Sequence, residues 1–106
     1  MNETVQDLQA ARDILVDHWC PTGLQDTQGN VCIVGALNKV IFGEAHFGVR
    51  TAEEELLERR ARSMNALREH LPNPRSQLSS WNDHKSTEHQ DVLNLFDKAL
   101  ADLGGL

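Results

Sequence analysis

Apolar residues recur at helical spacing in four separate stretches of this chain. In the first, Val5, Leu8, Ala11, Leu15 and then His18 or Trp19 share one face, which predicts a helix over residues 3–19. Thr4 reads as its N-cap, with Asp7 three residues on, and Asp7, Asp13 and Asp17 lie off the apolar face. Pro21, which has no N–H to donate, and Gly23 stop it. Val34, Leu37 and Ile41 predict a second helix over 33–42, with Gly43 as its C-terminal stop. Gly35 inside that pattern costs about 1 kcal/mol relative to alanine, which close packing against a helix or ribbon would explain. A third helix opens at Thr51 with Glu54 as capping-box partner, buries Leu57, Ala61, Met64, Leu67 and Leu71, and ends at Pro72 and Pro74. A fourth spans residues 87–103, capped by Thr87 with Gln90 or by Ser86, with Val92, Phe96, Leu100 and Leu103 as its stripe.

The segments between these helices break the period. Residues 22–33 read as a hairpin, because Gln28-Gly29-Asn30 supplies residues that tolerate positive φ, flanked by Thr22–Leu24 and Val31–Ile33. Two strands alone are marginal in water, so this ribbon must lean on the helices. Residues 72–85 form the longest irregular stretch, of a length that usually carries function or motion. The expected fold is mainly α: a compact bundle of about four helices with one short two-stranded β-hairpin between the first two. Residues 1–106 form one domain in this reading.

Charge narrows the function classes. The formal net charge of −6 disfavours non-specific nucleic-acid binding, which needs cations to displace counterions, and disfavours an anionic membrane surface. No run approaches the ~18–20 apolar residues of a membrane-spanning helix, and the N-terminus lacks the basic-then-apolar order of a signal peptide. A cytoplasmic protein is expected, with Cys20 and Cys32 as thiols.

Chemistry-bearing residues are sparse. His18, Cys20 and Cys32 are metal-ligand types, and His46, His70, His84 or His89 would supply a fourth ligand. The spacing lacks CxxC and HxxxH, which favours buried cysteines acting as small hydrophobes. Cys32 precedes a helix whose N-terminus would depress its pKa, with His18 or His84 as base, yet no nucleophile motif surrounds it. Trp81-Asn82-Asp83-His84 has the composition of a binding hot spot, and also that of an aromatic core anchor followed by turn and cap residues. Arg59, Arg60, Arg62 and Arg68 read as a solvated face, with Glu55–Arg59 and Glu58–Arg62 paired along the helix. No P-loop, GxGxxG, GxSxG or HExxH is present, so no catalytic residue and no cofactor is expected.

Trp19-Cys20, Gly29, Val31–Leu37, Trp81-Asn82-Asp83 and Val92–Ala99 together resemble a family of small uncharacterised proteins, a domain of unknown function, from actinobacteria and their phages. The resemblance implies a fold and a phage or actinobacterial setting, with no known reaction. The leading expectation is a small interaction protein that binds a protein partner rather than catalysing. Its surface would combine Gln25, Asp26, Gln28 and Asn30 with Asn82, Asp83 and His84. The alternative is a metal- or thiol-dependent site around Cys20 and Cys32, with His18 and His84 nearby.

Overall fold

The computed structural model describes residues 2–46, 53–73 and 76–105. It contains five helices: α1 (Glu3–His18), α2 (Ile33–Phe42), α3 (Glu54–Arg68), α4 (Leu78–Asp83) and α5 (His89–Asp102). The helical expectation holds, but the count and the hairpin do not. Among the described residues there is no β-strand, only two isolated bridges. Val31 pairs in parallel with Trp19 and antiparallel with Gln25. The pairing stops there because Cys32 already caps α2 and Trp19 has only just left α1. Segment 19–32 is therefore a loop closed on one residue, not a ribbon.

The N-cap of α1 lies two residues before the expected Thr4. Asn2 is the N-cap, and its Oδ1 accepts from Thr4 N–H at 2.8 Å. α2 runs over the expected residues. Cys32 caps it, its Sγ accepting from Gly35 N–H at 3.3 Å, and Gly43 ends it at φ 87°, a left-handed conformation that costs glycine little. Gly35 is a site of close approach. A Cβ there would stand 2.1 Å from the carbonyl oxygen of Leu24, so the loop lies directly on the backbone of α2.

The core is aliphatic around Phe96, which is fully buried. Val5, Leu8, Ala11 and Leu15 of α1 meet Ile33, Val34, Ala36 and Leu37 of α2, Leu67 of α3, Leu78 of α4, and Val92, Leu95, Phe96, Ala99 and Leu100 of α5. α1 packs on α2, α3 and α5, while α4 packs on α2 and α3.

The expected α3 stripe holds at Leu67 and Leu71, which are buried, and at Leu57 and Met64, which are half-buried, but fails at one position. Ala61 is exposed, and Ser63 is buried instead. Asp7 of α1, expected off the packed face, is 2 % exposed and receives both Nε and Nη2 of Arg59 at 2.7 and 2.6 Å. Arg60 donates to Asn38 Oδ1 at 2.8 Å, and Arg62 to Glu3 at 3.2 Å. The arginines thus pair across helices, where pairs within α3 were expected, and they turn α3 toward α1 and α2. Thr51, the expected cap, lies outside the described residues, as does Pro74; the helix begins at Glu54 after Glu53. α5 starts after Glu88, whose N–H donates to Asp91 at 2.9 Å, so the Thr87–Gln90 box is replaced. Thr87 donates its hydroxyl to Trp81 O at 2.7 Å instead.

Candidate functional site

The loop that closes on Val31 brings Trp19, Cys20 and Cys32 to one place, and α4 supplies the residue that joins them. Asn82 is fully buried. Its Oδ1 accepts from the indole Nε1–H of Trp19 at 2.9 Å and from the backbone N–H of Ile33 at 3.2 Å. Its Nδ2 donates to Cys20 O at 3.2 Å and to the Asp83 carboxylate at 3.0 Å. Ile33 opens α2, so its N–H has no helical partner, and Asn82 satisfies it from 49 residues away. One side chain from α4 therefore fixes the exit of α1, the loop and the entry of α2. On its other side Trp19 stacks on His89, with centroids 5.3 Å apart and planes 11° from parallel, and His89 Nε2 bonds the carbonyl of Leu15.

Both cysteines are free and buried, at 3 % and 2 % exposure. Cys20 Sγ points at the carbonyls of Thr22 (3.3 Å) and Asn30 (3.4 Å). Burial pushes its thiol up, against a lowering by the backbone of Thr22. For Cys32 burial again dominates and raises the pKa, and the amides of Gly35 and Val34 offset it only in part. The depressed pKa expected from the α2 N-terminus is therefore reversed: loss of water around the sulfur outweighs the helix amides. Among the described residues no group of three or more His, Cys, Asp or Glu side chains is arranged to hold a metal ion.

The remaining candidates divide by exposure. Asp26 organises the loop tip, accepting from the N–H groups of Gln28 (2.9 Å) and Asn30 (2.8 Å) and from Asn30 Nδ2 (3.0 Å). The Asn30 side chain first, and the loop amides after it, hold the Asp26 carboxyl below the usual carboxylate range. Gln25 and Gln28 are exposed, and Asn30 is half-buried. His18 is exposed and lines a shallow depression with Ile14, Gln28, Gly29 and Lys39. Asp83 and His84 are exposed, and His84 Nδ1 accepts from the N–H of Ser86 at 3.1 Å. Trp81 is half-buried against the core and lines a different cavity, with His70, Thr87, Leu95 and Lys98 among others. Of the residues expected to form one surface, Asn82 is internal, Asp26 and Asn30 are half-buried, and Gln25, Gln28, Asp83 and His84 are exposed. Sequence reasoning missed the pairing of Trp19 with Asn82; the one available signal was an amide residue beside a tryptophan in a stretch read as loop.

These features define a class: a protein that is helical over its described residues and whose first interhelical loop is closed by a buried asparagine from a short fourth helix. A model of the DUF6197 family, a family of unknown function, matches residues 1–102, and the chain belongs to that family. No curated protein and no solved structure matches it. No helix among the described residues is long and apolar enough to cross a membrane.

Proposed function

We propose that this protein is a small cytoplasmic interaction protein of an actinobacterium or one of its phages, acting by binding a protein partner rather than by catalysis. The observation that carries this reading is the contrast in exposure around Asn82. The groups with nucleophilic character, Cys20 and Cys32, are buried with raised pKa values and internal hydrogen bonds. The side chains of Gln25, Gln28, Asp83 and His84 are exposed, and the backbone N–H groups of Gln28 and His84 are held by internal hydrogen bonds to Asp26 and to Trp81 O. Ordered loops with exposed polar groups reduce the entropy lost on association. The net charge of −6 favours a partner with a basic patch and opposes nucleic acid.

The test is affinity capture from an actinobacterial lysate with the full chain and with two surface variants, Gln25→Arg/Gln28→Arg and Asp83→Lys/His84→Glu. A partner held by the parent chain and lost in one variant of unchanged unfolding midpoint is the expected result. Identical capture by all three proteins would overturn the surface assignment. A turnover abolished by Cys32→Ser would overturn the non-catalytic reading.

A further inference from the structure

The closure of the first loop sets the two cysteines side by side. Val31 pairs in parallel with Trp19, through Val31 N–H to His18 O at 2.6 Å and Cys20 N–H to Val31 O at 2.9 Å. The next residue on each segment is a cysteine. The Cys20 N–H to Val31 O bond sets Cys20 next to Cys32, which is extended at φ −83° and ψ −178° and caps α2. Paired segments lie about 4.7–4.9 Å apart, and in-register side chains of a parallel pair point to the same side. Here that side is the interior, where both cysteines are buried. A disulfide requires Cα atoms about 4.4–6.8 Å apart. The usual spacing of paired segments falls within that range.

We propose that Cys20 and Cys32 are a reversible modification site, joined by mild peroxide oxidation into an intrachain disulfide that staples the loop shut. The cover over Cys20 is one turn, and Pro21, Thr22 and Gly23 of that turn are exposed, so Cys20 is the thiol a small oxidant reaches first. Burial keeps Cys20 mostly protonated, so the step is slow: its minor thiolate fraction attacks one peroxide oxygen; the O–O bond breaks, the other oxygen leaves and takes a proton to become water, and Cys20 becomes a sulfenic acid. Cys32, whose sulfur faces the Gly35 amide at 3.3 Å, then attacks the Cys20 sulfur as thiolate. The S–S bond forms, the S–O bond breaks, and a second water leaves. Two thiols and one peroxide thus yield one disulfide and two waters. The staple spans the segment that carries Gln25 and Gln28, but it does not depend on the partner-binding reading.

The experiment treats the folded full chain with dilute hydrogen peroxide and reads intact mass, cleavage at Asp26, and the urea midpoint. The expected product is a monomer lighter by two hydrogens in which, after cleavage at its aspartates including Asp26, the fragment carrying Cys20 stays joined to the fragment carrying Cys32 until dithiothreitol parts them. Its midpoint should lie above that of the reduced chain, because the closed loop removes freedom from the unfolded state. Cys20→Ser and Cys32→Ser should each lose both the mass change and the rise, and Cys20→Ala serves as a second variant if either folds poorly. Intermolecular dimers, over-oxidation without an internal bridge, or an oxidised monomer with a lower midpoint would overturn the proposal.

Discussion

Replacing Asn82 by alanine removes the one side chain that joins the loop, α1 and α2. Two buried backbone groups then lose their partner, the N–H of Ile33 and the carbonyl of Cys20, and so does the indole N–H of Trp19. A buried polar group left unpaired costs about 1–3 kcal/mol. Trp19 is half-buried, so water replaces Asn82 there at small cost. The two backbone groups alone then predict a loss of about 3 kcal/mol, taking the lower half of that range for each. Against a total stability of about 5–15 kcal/mol this is a severe change. It corresponds to a fall of roughly 4–8 °C in Tm for each kcal/mol. Urea denaturation followed by circular dichroism measures it, and the Trp19 indole proton in an NMR spectrum reports the local event. Asn82→Asp keeps an acceptor for Trp19 and Ile33 but turns a carboxylate toward Cys20 O and Asp83, so at neutral pH it should be no better than alanine. A loss below about 1 kcal/mol for Asn82→Ala, the size of an ordinary surface change, with an unmoved Trp19 indole signal, would refute the assignment of Asn82 as the tie.

Gly35→Ala gains about 1 kcal/mol of helix propensity but drives a Cβ into the Leu24 carbonyl; overpacking costs about 1–3 kcal/mol, so thermal unfolding should move down, and an upward shift would show that the loop yields freely. Arg59→Met leaves the buried Asp7 carboxylate with no bidentate partner and should cost about 2–4 kcal/mol, somewhat under the range for a fully buried pair because Arg59 is partly exposed; restoring neutrality with Asp7→Asn should recover part of it in a double-mutant cycle. Ser63→Ala removes a buried hydroxyl that has no hydrogen-bond partner, so equilibrium unfolding should show a change between zero and about 1 kcal/mol of added stability. The Asp26 carboxyl titrates lower in the folded loop than in the unfolded chain. Its contribution is therefore complete above the unfolded value of about 3.9 and is lost as pH falls through the lower folded value; the Gln28 and Asn30 amides should lose exchange protection over that acid range, and Asp26→Asn should flatten the dependence.

The helices were legible where their apolar period was long, as in α1, α2 and α5. α2 was read to the residue because Gly43 supplies a left-handed stop. The hairpin was misread because turn chemistry at Gln28-Gly29-Asn30 does not reveal how far the flanks pair. Here Val31 serves two partners and the helices on either side end the ladder at once. α4 was invisible because six residues, LSSWND, are too few to display a helical period. The apolar stripe of α3 was legible apart from Ala61, but the arginine pairing was not, because partners on other helices cannot be read from spacing along one: Asp7 and Asn38 draw Arg59 and Arg60 inward. For the same reason the candidate surface lost Asn82: an amide is polar in any sequence, and only the fold determines whether its partners are water or backbone.

The reach of Asn82 also orders events in time. The groups it satisfies lie 49 to 63 residues earlier in the chain, so while the protein is being synthesised α1, the loop and the start of α2 emerge from the ribosome well before their tie exists. During that interval the Cys20 carbonyl and the Ile33 amide have only water to bond, and Trp19 lacks its fixed neighbour. Contacts of such long sequence separation form late and slow folding. Closure of the first loop therefore depends on a six-residue helix encoded far along the chain from the segments it joins.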